Sequence, residues 1–482
     1  MRTHRPRSPF LVVALLLVLS ASAAHAEIKP NGLFGENCVL QRDLPIPVWG
    51  SGTNGEKVTV TLGDQKGETT VADGKWRVNL KSLPAGGPHT LSIAGDKDKL
   101  EIKNVLVGDV WLCGGQSNME MGLGGTANAK EVIAESANDK IRLITINRGG
   151  KPEPQADVKA DWQICGPNTV GGFTAVGYHF GRALQKHLNV PIGLINSNVG
   201  GTPAERWMPK EALAAEPDLA VYANGKNPGD LYNAMIHPLV PYGIKGAIWY
   251  QGESNAGQAE RYRKLFPAMI KSWREDWKQG DFPFFFVQLA PHKKIEDHPT
   301  DSDWAELREA QLLTMLHDPQ TGMAVITDVG DEKDIHPKQK QPVGERLAIA
   351  ARAVAYGEKI EPSGPIYAGL TISGPEVTLK FNHVGQGLET KGDKADPHPG
   401  PLPKGEGGKL TGFTVAGEDK KFHDAIAKIV GETVVVSSPD VEKPVAVRFG
   451  WANYPVVNLW NKDGLPASPF RTDDWPGVTS GK

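Results

Sequence analysis

The chain has 482 residues, about three times the length of a typical domain, so two or three domains are expected. Its hydrophobic content of 39% and charged content of 23% are values of globular proteins. The net charge of −3, without any long basic block, excludes the strongly basic classes that bind nucleic acids or anionic membrane surfaces.

The first 26 residues have the pattern of a secretory signal peptide. Three arginines within the first seven residues precede an apolar run at 10–19, and a small-x-small cleavage site ends at Ala26. No later stretch is long and apolar enough to span a bilayer. The sequence therefore predicts an exported, periplasmic or extracellular protein without a membrane span, with a mature net charge of about −6.

Three cysteines lie in the mature part of the chain, at Cys38, Cys113 and Cys165. An odd number cannot all pair within one chain, and the absence of a Cys-x-x-Cys motif argues against a zinc or redox centre. A bridge between Cys113 and Cys165 is left open, because nothing in the sequence fixes the geometry it needs.

Residues 27–104 contain short alternating strands separated by turn signals such as Ala72-Asp-Gly74 and Pro84-Ala-Gly-Gly87. This spacing predicts a small N-terminal β-sandwich. Such a domain could serve as a carbohydrate-binding module or simply shield the neighbouring domain, and we favour the packing role.

Residues 105–357 alternate strands with helices, which predicts a doubly wound parallel sheet. Functional sites in such sheets gather at the carboxyl ends of the strands. The predicted strands are 105–113, 141–146, 190–196, 243–250, 284–289 and 323–327, and the predicted helices are 176–188, 259–278, 304–317 and 343–356.

The β pattern returns in residues 358–482 and predicts a C-terminal β domain, a second sandwich. Within it, residues 391–408 are rich in proline, glycine and charge. This composition predicts a mobile surface loop.

Ser117 follows the first predicted strand of the parallel sheet, in the run Gly114-Gly-Gln-Ser-Asn-Met119. The two glycines allow a sharp turn, and a helix can begin at the serine, where free N–H groups favour developing negative charge. The run is also compatible with an ordinary turn that caps a helix. We interpret Ser117 as a nucleophile because three further loops are predicted at the same edge of the sheet.

A serine nucleophile needs a histidine base, itself oriented by an acid. His336, in the loop that follows the last predicted strand, is the candidate base, and Asp334 is the candidate acid. A plain solvated acidic loop is the alternative interpretation. His237 is the rival base, although a packed structural role fits it better.

Two more loops supply candidate oxyanion donors. Gly200 and Gly201 follow the third predicted strand and permit close approach of backbone N–H groups, while Gln251 and Asn255 follow the fourth and carry side-chain amides. The alternative for Asn255 is a helix cap. Gln116, Asn118 and Glu253 lie beside these groups and are candidates for contacting a substrate.

We call four segments, in chain order, the first to fourth blocks. They are the run around Ser117, the loop with Gly200 and Gly201, the loop with Gln251 and Asn255, and the loop with His336. In this order they resemble the blocks of the SGNH hydrolase superfamily, specifically its sialate O-acetylesterase-like branch. Val39 to Trp49 and Gly464 to Trp475 are similar to the flanking β regions of that branch. The resemblance implies a flavodoxin-like core and a carbohydrate O-acetylesterase that needs no metal or organic cofactor. It also implies that Ser117 is the nucleophile, His336 the base, and that the Ser117 N–H, a glycine of the second block and an amide of the third form the oxyanion hole.

Two departures from the family pattern leave alternatives open. The superfamily places the acid three residues before the histidine, where this chain has Lys333, so Asp331 or Asp328 could replace Asp334. Either Gln251 or Asn255 could correspond to the third-block asparagine.

The substrate is also open. A sialic acid carboxylate calls for a cation, for which Arg206 is the candidate. Acetylated plant polysaccharides such as xylan, xyloglucan or pectin are the alternative substrates. A non-catalytic glycan-binding protein is the alternative of another class, and the sequence does not indicate an oligomeric state.

Overall fold

The structure is a computed structural model that describes residues 28–391 and 409–482. The predicted signal peptide and all but the first residue of the predicted loop 391–408 lie outside the described residues. In the described part, none of the helices is long and apolar enough to cross a bilayer.

The N-terminal region is built from short strands that lead into one long strand. Its strands are β1 (Lys29–Pro30), β2 (Val39–Gln41), β3 (Ile46–Ser51), β4 (Lys57–Leu62), β5 (Gln65–Thr70), β6 (Lys75–Leu80), β7 (Gly86–Ala94) and β8 (Lys99–Gly115). Strands β1, β3 and β6 form a three-stranded antiparallel sheet, while β4, β5 and β7 join β8 through antiparallel pairs. Alternate residues of β4 and β6 are buried, as expected where one face of a strand covers a core.

Strand β8 belongs to two parts of the molecule at once. Its first half pairs with β7, and its second half, from Asp109, pairs in parallel with two strands of the central sheet. Within the first half Asn104 has a φ of 55° and the register with β7 shifts nearby, so the strand bends there, while its pairing with β7 continues to Val107. The predicted domain boundary at 104/105 therefore falls at a bend inside a continuous strand.

The central part of the chain alternates helices and strands, as the sequence predicts. The elements are α1 (Ser117–Glu120), α2 (Ala129–Ala134), β9 (Asn138–Thr145), β10 (Gln163–Cys165), α3 (Ala175–Leu188), β11 (Ile192–Asn198), α4 (Lys210–Ala215), α5 (Ala220–Ala223), β12 (Gly246–Tyr250), α6 (Ala259–Trp277), β13 (Phe284–Val287), α7 (Asp303–His317), β14 (Thr321–Ala324) and α8 (Gln341–Val354).

The central sheet has the order β9-β11-β8-β12-β13-β14, and these strands run parallel. Strand β10 adds an antiparallel edge beside β9. From β11 to β14 the order is that of a flavodoxin-like sheet, with β9 as an extra strand beyond it. This confirms the predicted parallel α/β core.

Both faces of the central sheet are covered, which is why its strands are continuous apolar runs. On one face Trp249 and Phe286 share a core with α6, and on the other Ile248 and Phe285 share a core with α3 and α8. The tight packing on both faces fixes the positions at which the strands end.

The C-terminal region is antiparallel. Its strands are β15 (Ile366–Ser373), β16 (Glu376–Asn382), β17 (Leu388–Thr390), β18 (Phe413–Ala416), β19 (Phe422–Asp424), β20 (Ile426–Val430), β21 (Thr433–Ser437), β22 (Ala446–Phe449), β23 (Leu459–Asn461) and β24 (Phe470–Arg471). They form the four-stranded sheets β15-β16-β21-β20 and β19-β18-β22-β24 and the pair β17-β23. Leu379 of β16 and Val415 of β18 share one apolar cluster, so the two larger sheets pack together.

A buried arginine attaches this C-terminal region to the α/β core. The Arg308 guanidinium, on α7, donates to the carbonyls of Leu289 (2.7 Å), Ala290 (3.1 Å), Ala452 (2.7 Å) and Asn453 (2.9 Å). Burial lowers the pKa of this guanidinium to about 9. Four carbonyl oxygens therefore take the place of an anionic partner.

The three cysteines all lie in the described part of the chain, and each is buried and free. The bridge between Cys113 and Cys165 left open by the sequence is therefore not formed. Burial raises the pKa of the Cys38 and Cys165 thiols to about 12, which disfavours the reactive thiolate.

Candidate active site

The turn before Ser117 depends on Gly115, at the end of β8. Its φ is 136°, and a side-chain carbon added there would lie 2.2 Å from the Tyr250 carbonyl oxygen. That carbonyl accepts the next backbone N–H, from Gln116, at 2.9 Å. The chain then enters α1 at Ser117, which is half-buried, so the serine lies between a strand end and a helix start, as the sequence predicts.

Asn118 connects the serine loop to the histidine loop. Its side-chain amide donates to the Ile335 carbonyl at 2.9 Å and to the Glu253 carboxylate at 2.5 Å. Because Asn118 follows Ser117 and Ile335 precedes His336, this bond joins the flanks of the predicted nucleophile and base. The two loops, more than two hundred residues apart in the chain, therefore meet at one edge of the sheet.

Asp334 lies against the imidazole of His336. Its Oδ1 atom is 3.4 Å from the His336 Nδ1 atom and accepts the His336 backbone N–H at 2.9 Å. The first distance is longer than a normal hydrogen bond and is that of an ion-pair contact. With Nδ1 facing the acid, Nε2 is the nitrogen left for a serine hydroxyl.

The two alternative acids are occupied elsewhere. Asp331 accepts the backbone N–H groups of Lys333 (2.8 Å) and Asp334 (3.1 Å), which shapes the loop. Asp328 forms a bidentate ion pair with Arg346 at 2.6 and 2.7 Å. Among the three candidates, Asp334 is the one with an ion-pair contact to the His336 ring.

Gly200 packs directly on the serine. A side-chain carbon added to Gly200 would lie 3.3 Å from Cβ of Ser117, so only glycine fits without a shift. Its N–H donates to the carboxylate of Glu120, which also pairs with Arg148 at 2.8 Å. The neighbouring Gly201 has a φ of 68°, in the left-handed region. The second-block glycines therefore lie beside Ser117, with the Gly200 donor engaged by a carboxylate.

The amides of the third block hold the second-block loop in place. Gln251 donates to the side-chain oxygen of Asn255 (2.6 Å) and weakly to the carbonyl of Thr202 (3.4 Å). Asn255 in turn accepts the N–H of Ala204 (2.9 Å) and donates to Glu205 (3.0 Å). Both amide hydrogens of Gln251 are therefore donated to acceptors. Within the described residues, Asn255 donates one hydrogen bond.

Two other predicted residues have structural partners. Gln116 is buried, and its side-chain oxygen accepts the Ser254 N–H at 3.3 Å. Arg206 forms a bidentate ion pair with Asp230 at 2.8 and 2.6 Å. The predicted carboxylate-binding cation is therefore neutralised by an acid of the same chain.

The rival base His237 is held elsewhere, with its Nδ1 atom 2.8 Å from the Gln155 carbonyl oxygen. No cluster of three His, Cys, Asp or Glu side chains suited to a metal ion is found in residues 28–391 or 409–482.

Lys340 is a site residue that the sequence does not reveal. It is 1% exposed, its ammonium donates to the Asn118 side-chain oxygen at 2.5 Å, and it lies 5.2 Å from the centre of the Tyr250 ring. Burial lowers the pKa of Lys340 to about 7, against the attraction of the Glu253 and Asp334 carboxylates. In sequence it is one lysine in a polar segment, 222 residues from its partner.

Glu253 lies on the other side of Asn118. Burial raises the pKa of its carboxyl group, and the hydrogen bond from Asn118 partly offsets this. Its Oε2 atom is buried and has no hydrogen-bond partner among the described residues. The Asn118 amide is therefore held between a cation and a carboxyl group, and we call Lys340, Asn118 and Glu253 the amide clamp.

Lys340→Met should disturb the amide clamp and lower kcat by up to about a hundredfold, because the His336 loop loses alignment. The pKa of Lys340 is about 7 when folded, against 10.5 for a free side chain, so the unfolded chain binds more protons between these values. The free energy of unfolding should therefore rise with pH from 7 to 8.5, and the variant should lose this contribution.

Urea denaturation at pH 7 and 8.5, with kcat measured in parallel, checks both effects. Lys359→Met, at an exposed position, is the matched control and should behave as wild type. An unchanged pH slope in Lys340→Met would contradict the assignment.

Comparison with known proteins identifies the family of this chain. A family model described as "Carbohydrate esterase, sialic acid-specific acetylesterase" matches residues 107–353. The chain is 34% identical to the human protein named sialate O-acetylesterase over 536 residues, covering 98% of this chain and 99% of that protein. The rat protein of the same name is 33% identical, covering 77% of this chain and 80% of its own length.

A solved structure is similar over almost the whole chain. The crystal structure of a carbohydrate acetylesterase from Xanthomonas citri is 41% identical, with a TM-score of 0.85, and the match covers 93% of this chain and 100% of that chain. With its parallel α/β core and these relatives, the protein is a carboxylic ester hydrolase.

More specifically, the chain belongs to the family of carbohydrate esterases described as sialic acid-specific acetylesterases. The resemblance seen in the sequence motifs is thereby confirmed.

Proposed function

We propose that the protein is an exported O-acetylesterase that removes acetyl groups from sugars through a Ser117–His336–Asp334 triad. The observation that carries this proposal is the Asn118 bond to Ile335, which ties the flanks of Ser117 and His336 together. The signal-peptide pattern in residues 1–26 supports export.

In the proposed reaction, the Ser117 oxygen attacks the acetyl carbonyl carbon while His336 Nε2 takes the serine proton. His336 then gives this proton to the sugar oxygen as the ester bond breaks, and an acetyl-serine remains. Water attacks the acetyl-serine, His336 takes a proton from it, and acetate leaves as the serine oxygen regains that proton. Asp334 orients the imidazole and stabilises its charged form.

The oxyanion would be held by the Ser117 N–H and by Asn255. Of the two third-block amides, Asn255 is favoured because Gln251 already donates to two acceptors. The Gly200 N–H donates to Glu120, so its contribution requires that carboxylate to move when a substrate binds. Gly201 is the other second-block candidate.

The sugar is proposed to be a sialic acid, as the family description suggests for its members. One observation favours a neutral sugar of a plant polysaccharide as a second candidate. Arg206, the cation proposed for a sialic acid carboxylate, is neutralised by Asp230.

Acetate release from O-acetylated sialic acid and from acetylated xylan, measured side by side, tests the proposal. Faster release from the sialic acid supports the first candidate, and faster release from xylan supports the second. Failure to release acetate from any acetylated sugar, by an enzyme that hydrolyses 4-nitrophenyl acetate, would contradict the proposed substrate class.

A further inference from the structure

A cavity of about 660 Å³ lies between the small N-terminal sheet and the α/β core. This volume is within the range of small-ligand sites, which are commonly found where two structural units meet. One wall contains residues of β1, β3, β5 and β6, and the other contains residues 155–157 and 237. We call this cavity the junction cleft.

Trp49 gives the cleft an aromatic surface with a fixed orientation. Its ring is half-buried, and it contacts Phe34 edge-on with centres 4.9 Å apart and Tyr242 at 6.3 Å. These contacts hold the ring without covering it completely. Such a rigid ring can bind the apolar C–H face of a sugar at little cost in conformational entropy.

Polar groups surround this ring. Arg77 is the cross-strand partner of Trp49, and Lys75 is the partner of Ser51, so all four side chains lie on the same face of the sheet. Arg77 donates to Asn79 at 2.9 Å, and in the described part of the chain neither Arg77 nor Lys75 has a carboxylate within 4.0 Å. Their remaining N–H groups are available to sugar oxygens.

The facing wall is fixed by one hydrogen bond of its own and by an ion pair to the small N-terminal sheet. The His237 Nδ1–H donates to the Gln155 carbonyl oxygen at 2.8 Å, and Asp157 pairs with Lys29 of β1 at 3.1 Å. His237 is half-buried and lines the cleft. A ligand would therefore find an aromatic surface on one side and fixed polar groups on both, which is the chemistry that recognises sugars.

One chain segment connects the cleft to the candidate active site. It starts at Arg148, which pairs with Glu120 in the helix of Ser117, and reaches the cleft wall at Asp157. Its backbone is fixed along the way by hydrogen bonds of Lys151 to Asp230 and of Gln155 to Asn233, both 2.9 Å. The nine Cα–Cα steps from residue 148 to residue 157 span at most about 32 Å, a distance that a short oligosaccharide can cover.

We propose that the junction cleft binds sugar units of the glycan whose acetyl group is removed at Ser117, as a distal subsite. This inference rests on the proposed function for its substrate, and it assigns a binding role to an N-terminal region whose sequence favours a packing role. A chain substrate would contact both places, whereas a small ester would contact Ser117 alone.

Arg77→Ala and Gln155→Ala, both near the surface of the cleft, test the proposal. The substrate is acetylated xylan or O-acetylated mucin, whichever wild type hydrolyses faster. On this substrate the KM of each variant should be about tenfold higher than that of wild type, with little change in kcat. The KM for 4-nitrophenyl acetate should stay as in wild type, because this ester is too small to reach the cleft. Lys81→Ala, an exposed cation just beyond β6 that does not line the cleft, is the matched control.

Calorimetric titration with xylohexaose and 3′-sialyllactose measures binding without turnover. Wild type should bind at least one of them, and Arg77→Ala should weaken that binding about tenfold. If wild type binds neither at millimolar concentration, or if the variants bind as wild type does, the distal subsite is ruled out. Failure of the proposed function would show differently, as absence of acetate release by wild type.

Discussion

Ser117→Ala is expected to lower kcat on 4-nitrophenyl acetate by on the order of 10⁴- to 10⁶-fold, because the covalent route is lost with the serine hydroxyl. The residual rate would come from substrate binding and the oxyanion donors. Initial rates at saturating ester, compared with the uncatalysed rate, measure the loss.

Ser373→Ala is the matched control for the loss of a serine hydroxyl, since Ser373 is exposed on β15 in the C-terminal region. It should retain full activity. Circular dichroism of both variants should match wild type, because Ser117 is half-buried and its hydroxyl removal leaves only a small gap. Near-normal turnover by Ser117→Ala would refute the acyl-enzyme mechanism.

Asp334→Asn is expected to lower kcat by on the order of 10³- to 10⁴-fold, because an amide can donate to Nδ1 and hold the imidazole in the wrong tautomer. This expectation rests on the distance of 3.4 Å between Asp334 Oδ1 and His336 Nδ1. Measuring kcat of the variant and of wild type on 4-nitrophenyl acetate checks it.

Asp331→Asn and Asp328→Asn distinguish the three acids. Asparagine at 331 keeps the acceptor for two backbone N–H groups, so activity should fall only slightly. Asparagine at 328 weakens the ion pair with Arg346 and should lower the free energy of unfolding by about 2 kcal/mol, with kcat nearly unchanged. A greater loss of kcat at either position than at 334 would move the acid assignment there.

The regular elements of the α/β core were predictable because their apolar periodicity is strong. The predicted helix at 259–278 is found as Ala259–Trp277, and the predicted strand at 141–146 overlaps Asn138–Thr145. The predicted helix at 304–317 is found as Asp303–His317. Burial of both sheet faces left a continuous apolar signal in each strand.

The partners of the site residues could not be predicted, because they depend on contacts between distant segments. Asp230 pairs with Arg206, and Asn255 accepts from Gln251. Both contacts follow from tertiary packing, and the sequence of a polar loop does not indicate them. The burial of Lys340 could not be predicted either. Its burial follows from its position behind Asn118, which no local pattern encodes.

The split of β8 into two predicted segments has a local cause. Asn104 adopts a left-handed conformation and interrupts the alternation, so the sequence pattern stops there even though the strand continues. Sequence periodicity detects regular strand conformation, and it fails where one residue of a strand leaves that conformation.

Strand β8 also limits how this enzyme can be shortened or recombined. The first half of the strand is covered by the N-terminal β-region, and the second half ends at the turn that presents Ser117. Removing the residues before the bend at Asn104 would take away the β7 partner of this strand a short distance before Ser117, the proposed nucleophile. The amino-terminal portion therefore supports the strand that leads to the candidate active site, and an unrelated domain could replace it only by continuing the same backbone pairing.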